Sequence, residues 1–385
     1  MSRFSDELRL LADQAPDVDL AERAVRGARR RRAGAAFGSA AATLAALVLG
    51  VSVLTASPGG DTISGTMTDV LPEHGLDRAA YAYYDFCGRQ WDPRENTRTF
   101  AGQECTQWRL VTSGGQRFRM PEAVSVYAEQ SAGNYMNTGA PVAISSDGRK
   151  VAYYRESDQR FAVRDLADGS VLLSPQRIPR ETMVKASGVL LRLSPDGRFL
   201  LLNGSGVPNV VVDMLTAQVT EVPDGWYPVR VGAGGGPVVV LDESRRVGRL
   251  EGGQVSVVSP AGDETRSYGE PSADGRVVPF LDGATSGMNS EPHDTIATMD
   301  LTSGKVLTSA RFRDAPKGFS VSRIGGWISG TEVMVTGEPP SARGEGGTPT
   351  LGETTYAVDV NSGRVRKLAS YTYRAWAGDL VLPGF

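Results

Sequence analysis

One short pattern recurs along this chain and limits what it can fold into. Ser145-Ser146-Asp147-Gly148-Arg149 is followed by the run Val151-Ala152-Tyr153-Tyr154, and Ser194-Pro195-Asp196-Gly197-Arg198 by Phe199-Leu200-Leu201-Leu202. The cadence returns at Ser272-Ala273-Asp274-Gly275-Arg276, ahead of Val277-Val278. An Asp-Gly turn ahead of an apolar run is the local signature of a β-hairpin. A second element trails each copy: Val163-Arg164-Asp165, Val212-Asp213, Met299-Asp300 and finally Val358-Asp359, each an alternating strand, an aspartate and a turn. Asp147 and Asp196 lie 49 positions apart, and Asp196 and Asp274 lie 78 apart, which leaves room for two units of 39. The hidden unit falls at residues 229–241, where Gly232 to Gly236 replaces the Asp-Gly turn. Units of about 40–50 residues holding four short strands are propeller blades. A four-stranded sheet cannot bury both faces alone, so blades stack around an axis and each covers its neighbour.

These turn-and-strand pairs resemble the WD-repeat-like propellers of TolB-type periplasmic proteins over residues 140–385, with a weaker extension back to about residue 79. The resemblance implies an all-β β-propeller of six blades, with seven as the alternative. The last segment, Tyr373-Arg374-Ala375-Trp376 through Leu380-Val381-Leu382, reads as the opening of one more blade. Ala80 to Tyr84 and Thr106 to Val111 then supply its remaining strands, joining the two ends of the propeller.

Four arginines, Arg29, Arg30, Arg31 and Arg32, stand before residues 33–60, which carry no charge. Roughly 20 apolar residues at about 1.5 Å rise each cross a bilayer. Residues 33–56 are therefore expected to be one transmembrane α-helix with its arginine side cytoplasmic. A cleaved signal peptide fits less well, because the basic region begins late and Leu54 stands where the cleavage site needs a small residue. The expected order is a cytoplasmic helical segment over 1–32, the span over 33–56, a linker over 57–78 and an extracytoplasmic propeller over 79–385. The localisation implied is the cell membrane, single-pass.

Charge divides at that span. Residues 1–32 carry +2, and the remainder −5. A mildly acidic outer domain argues against nucleic acid as a partner. Within 1–32, Phe4, Leu8 and Leu11 recur at helical spacing, Pro16 interrupts, and Leu20 opens a second short helix. Leu8, Leu11 and Leu20 are the candidate face for a cytoplasmic partner, against the alternative of a solvated stalk. The only cysteines, Cys87 and Cys105, are expected to form a disulfide, stabilising the fold by roughly 3 kcal/mol on the chain-entropy account.

Chemistry-bearing motifs are scarce. His74 and His293 are the only histidines, and no metalloprotease pair, nucleophile elbow or phosphate loop occurs. Gly232 to Gly236 lacks the lysine and helix start of a phosphate cradle, and Gly344 to Gly347 reads as a loop. His293 beside Glu291 and Asp294 has no nucleophile to serve. The repeat aspartates read as turn residues, because Asp accepts backbone N–H bonds there. Trp327 and Trp376 sit alike before turns and read as core; Trp91 and Trp226 are left open between blade and loop face. No catalytic, cofactor or metal residue is assigned and no enzyme is expected, although a hydrolase or lyase on a propeller stands as a third reading. The plan as a whole is similar to actinobacterial membrane proteins, some of which are anti-sigma-like regulators. That similarity implies a non-enzymatic binding or sensing module coupled to a cytoplasmic regulator, with a protein partner on the propeller face or the cytoplasmic segment. One departure is that residues 1–32 hold no zinc-binding His/Cys motif. The alternative is an envelope scaffold or glycan- or protein-binding propeller on a passive anchor.

Overall fold

The Asp-Gly segments close as hairpins through their own side chains. Ser145 Oγ donates to Asp147 Oδ1 at 2.7 Å, and the same oxygen accepts the Arg149 N–H at 3.0 Å. Ser272 and Asp274 repeat the contact at 2.6 Å, and Asp196 accepts the Arg198 N–H at 3.2 Å. Gly148 takes φ +73°, and a Cβ there would lie 2.6 Å from the Ala79 carbonyl, so no larger residue fits this turn. The second set of aspartates behaves alike. Asp165, Asp213, Asp300 and Asp359 each accept the N–H two residues on, at 2.9, 3.0, 2.8 and 3.2 Å. The side chain thereby satisfies a donor that the turn leaves without a ladder partner.

A computed structural model describes residues 70–86, 90–92, 97–99, 106–123, 141–259, 266–281, 294–317, 319–338, 351–373 and 380–385. The chain enters the first sheet at β1 (Ala79–Phe86), makes a separate hairpin of β2 (Gln90–Asp92) and β3 (Thr97–Thr99), and returns as β4 (Thr106–Thr112) and β5 (Arg117–Arg119). The second sheet is β6 (Val142–Ile144), β7 (Lys150–Arg155), β8 (Arg160–Asp165) and β9 (Val171–Leu173), followed by a short helix, α1 (Arg180–Lys185). The third is β10 (Ser187–Leu193), β11 (Phe199–Ser205), β12 (Val210–Asp213) and β13 (Gln218–Glu221). The fourth is β14 (Trp226–Val231), β15 (Val238–Asp242), β16 (Val247–Glu251) and β17 (Gln254–Val257). The fifth is β18 (Ser267–Tyr268), β19 (Val277–Leu281), β20 (Thr295–Asp300) and β21 (Val306–Arg311). The sixth is β22 (Ser320–Trp327), β23 (Glu332–Glu338), β24 (Leu351–Asp359) and β25 (Val365–Tyr373). The last strand, β26 (Leu380–Val381), joins the first sheet, whose order is β26-β1-β4-β5.

Six antiparallel four-stranded blades result, and the seven-blade alternative is not adopted. The predicted closure is present: Ala82 pairs with Val381 and Tyr83 with Leu380. Its boundary differs from expectation, because Tyr373 ends the outer strand of the sixth blade and, among the described residues, Leu380–Val381 is what enters the first. The glycine-rich turn of residues 232–236 does stand in for Asp-Gly, linking β14 to β15 through the 3₁₀ turn Ala233–Gly235.

Each junction between neighbouring blades holds its own core cluster, six in all. The period-2 geometry of a strand sends alternate residues to opposite neighbours. In β11, Leu200 and Leu202 face the second blade's Tyr154 and Phe161, whereas Leu201 faces the fourth blade's Val240. This sandwiching is why β12 and β15 are buried at every position while the outer strands β13 and β17 remain largely open. Truncating one such leucine to alanine costs about 2–5 kcal/mol.

The last part of the expected linker is built into the propeller. Val70 bridges Arg119 at the rim of the first blade, and Gly75 and Leu76 donate N–H groups to Ala167 and Leu166 of the second. Leu71 is buried there. The cytoplasmic segment, the span, Arg29 to Arg32, and Leu8, Leu11 and Leu20 all lie outside the described residues. No helix among the described residues is long and apolar enough to cross a membrane.

Candidate functional site

The inner strands β6, β10, β14, β18, β22 and β26 surround the axis. Backbone bonding fixes a common register for four of them. Ser145, Ser194, Gly232 and Ser272 each donate N–H to the carbonyl five residues on, at 3.0, 2.9, 3.0 and 2.7 Å. Two positions before these residues stand Ala143, Arg192, Arg230 and Glu270. One repeat position, filled by a small apolar residue in the second blade, thus carries a charge in the third, fourth and fifth.

Glu270 is 4% exposed. Ser146 Oγ donates to its Oε1 at 2.6 Å. Ser146 belongs to the second blade and Glu270 to the fifth, which are opposite in a propeller of six, so this bond crosses the axis. Trp327 Nε1 donates to the Glu270 carbonyl at 2.9 Å. Gly326 leaves room for the carboxyl, since a Cβ there would stand 2.3 Å from Glu270 Oε2. Residues 384–385 pack beside this contact: Gly384 N–H donates to the Ile144 carbonyl at 3.1 Å, a Cβ on Gly384 would lie 3.0 Å from Ser146 Oγ, and Phe385 is buried.

The arginines are served unequally. Arg230 is buried and donates through Nε to the Tyr268 carbonyl at 2.9 Å and through Nη2 to the Ile324 carbonyl at 2.8 Å. Arg323, from the sixth blade, grips Glu353 with Nη2 at 2.7 and 2.6 Å and reaches the Leu380 carbonyl at 3.2 Å. Its guanidinium carbon lies 5.4 Å from the Phe385 ring centroid. Among the described residues Arg192 has only the adjacent Leu191 carbonyl, 3.2 Å from Nη1, and its Nε is closed off from solvent with no hydrogen-bond partner. By area Arg192 is half-buried, with protein packed around it.

Burial pushes the Glu270 carboxyl up to about 7, against the pull of the Ser146 hydrogen bond and of Arg230 and Arg192. Burial lowers Arg230 to about 10, with Glu270 opposing and Arg323 adding to the drop. Arg192 is pushed down by burial first, then by the like charges of Arg230 and Arg323, with Glu270 opposing. Three cations face two carboxylates around the axis, and one of those carboxylates holds its proton near neutrality. Such a cluster can receive an anion through planar guanidinium forks.

The residues singled out from sequence lie elsewhere. Cys87, Cys105, Glu291, His293 and Trp376 fall outside the described residues, and His74 is exposed. Asp294 is exposed and accepts from Thr295 Oγ1 at 2.8 Å. Trp226 and Trp327 pack partly buried against blade cores, and Trp91 lies on β2. Among the described residues no group of three or more His, Cys, Asp or Glu is placed to hold a metal ion. The charged position escaped notice because its members lie about 40 residues apart; aligning the repeats on the serine before Asp-Gly, with Gly232 in its place in the fourth blade, and reading two places upstream would have exposed it.

No protein-family model matches this chain, and no curated protein sequence does. Solved structures do. A TolB-type protein of Agrobacterium tumefaciens is 15% identical over 77% of this chain and 91% of its own, with TM-score 0.43. TolB of Acinetobacter baumannii is 18% identical over 79% of this chain, which spans 65% of that protein, also with TM-score 0.43. An oligogalacturonate lyase in complex with manganese is 12% identical over 77% and 75%, with TM-score 0.40. At these values the likenesses carry nothing about function; the propeller stands on the sheet order and register given above.

Proposed function

We propose that this chain is a non-enzymatic binding and sensing module. In this reading an extracytoplasmic propeller is held at the cell membrane by residues 33–56, and residues 1–32 contact a cytoplasmic regulator in the manner of anti-sigma-like proteins. The observation that supports binding is the charged inner-strand position. Ala143 makes clear that a small neutral residue fits there, whereas Arg192, Arg230 and Glu270 bury charge at a cost. Perturbed charges gathered in one place are functional-site candidates with a stated physical rationale. The cytoplasmic half of the reading is supported by the arginine cluster and by the spacing of Leu8, Leu11 and Leu20.

The test is crosslinking in native membranes, followed by purification of the full chain beside a form lacking residues 1–25. A transcription regulator captured by the full chain alone supports coupling, and Asp at Leu8, Leu11 and Leu20 should abolish that capture. Identical captures of envelope proteins by both forms refute coupling and leave a scaffold on a passive anchor.

A further inference from the structure

Arg192 is the least served member of the axial cluster among the described residues: Glu270 opposes the loss of its charge, but no carboxylate is bonded to it. Arg323 is matched by Glu353, Arg230 spends its donors on two carbonyls, and Glu270 is held by Ser146. Arg192 has no ion pair among the described residues, one hydrogen bond to its own neighbour and a closed-off Nε. Burial first, and then the charges of Arg230 and Arg323, disfavour its cationic form, with Glu270 opposing. A guanidinium under those conditions lacks an acceptor, and its fork matches a carboxylate or a phosphate edge. Two of the guanidinium side chains are partly open to solvent: Arg192 is half-buried and 38% of the Arg323 side chain is exposed. The Ser146–Glu270 bond spans the axis, and Phe385 lies buried against Arg323, so only a small group enters.

We propose that Arg192, with Arg230 and Arg323 beside the propeller axis, is the receptor for a small oxyanion, a carboxylate or phosphate group. The ligand accepts from the Arg192 fork and supplies the negative charge that Glu270 and Glu353 leave lacking. This deepens the binding reading by naming the chemistry of what is bound, and it is independent of any cytoplasmic coupling.

The test is titration calorimetry of the purified full chain with inorganic phosphate and, separately, acetate, with sodium chloride at matched ionic strength as the control. Saturable binding of either oxyanion and none of chloride is expected; which one saturates identifies the group. Arg192→Met, which breaks no ion pair among the described residues, should weaken binding about tenfold or more, the loss expected for a charge-assisted contact. Arg149→Met, at an exposed turn residue, should leave it unchanged. Should Arg192→Met not fold, Arg192→Lys keeps the charge without the fork and should still weaken binding several-fold. Absence of saturation by both oxyanions, or equal affinity in the wild type and the Arg192 variant, overturns the proposal. Anion binding with failed regulator capture sinks the coupling reading alone; the reverse pattern sinks this inference alone.

Discussion

Replacing Glu270 by glutamine should make this protein more stable at alkaline pH, although it removes a buried carboxylate flanked by arginines. The carboxyl ordinarily titrates near 4.5, and the fold raises it to about 7. The folded state therefore holds this proton more tightly than the unfolded chain does. The stabilisation is complete below about pH 4.5 and is lost as pH rises through about 7. At 1.36 kcal/mol per tenfold change in proton affinity, the loss is about 3 kcal/mol. Glutamine keeps the carbonyl that accepts from Ser146 and cannot ionise. Glu270→Gln should thus exceed the wild type by about 3 kcal/mol at pH 8, or about 5–7 °C in melting temperature for a domain of this size, and converge on it toward pH 4.5. The groups that set the sign are Ser146, Arg192 and Arg230, with Arg323 behind them already committed to Glu353. Thermal unfolding from pH 4.5 to 8.5, in buffers free of phosphate and carboxylate, reads the difference. A variant less stable than the wild type at pH 8 would refute the reasoning, because the arginines would then outweigh burial.

Gly326→Ala places a methyl 2.3 Å from Glu270 Oε2 and should cost about 1–3 kcal/mol. In a Glu270→Ala background that cost should mostly vanish; an unchanged penalty in the double-mutant cycle would mean the two do not touch. Removing residues 380–385 deletes β26 and the buried Leu380, Leu382 and Phe385, so the melting temperature should fall by about 10 °C or more. Cys87 directly follows Phe86 and Cys105 directly precedes Thr106, and Phe86–Thr106 is the pair that ends the β1–β4 register. Peptide mapping without reductant should recover them joined, and two alkylated free thiols would contradict that.

The turns were legible in the sequence because their chemistry is local. Asp147 and Ser145 make their contacts within five residues, and the same holds at Asp196 and Asp274. Propeller closure was legible because Leu380 and Tyr83 lie in apolar runs left over once the other blades are assigned. The charged cluster was not, since Glu270 meets Ser146 across 124 residues and each arginine taken alone resembles a surface residue. The packing of residues 70–78 was hidden for a related reason. Its polar stretch holds only Leu71 and Leu76 as anchors, and much of its attachment is backbone bonding to Arg119, Leu166 and Ala167.

The pairing of β26 with β1 also sets a timetable. Tyr83 is synthesised almost 300 residues before its partner Leu380. At about 5–20 residues per second, the first blade waits on the order of 15–60 s for its innermost strand. Throughout that interval the β1 edge offers unpaired backbone groups and a tyrosine-rich face, an invitation to the wrong partner. Blades two to six can stack as they emerge, but the first stays open until the end. A chaperone that recognises nascent β1 would therefore guard the most vulnerable edge in the molecule, and release from it would be timed by the arrival of Leu380.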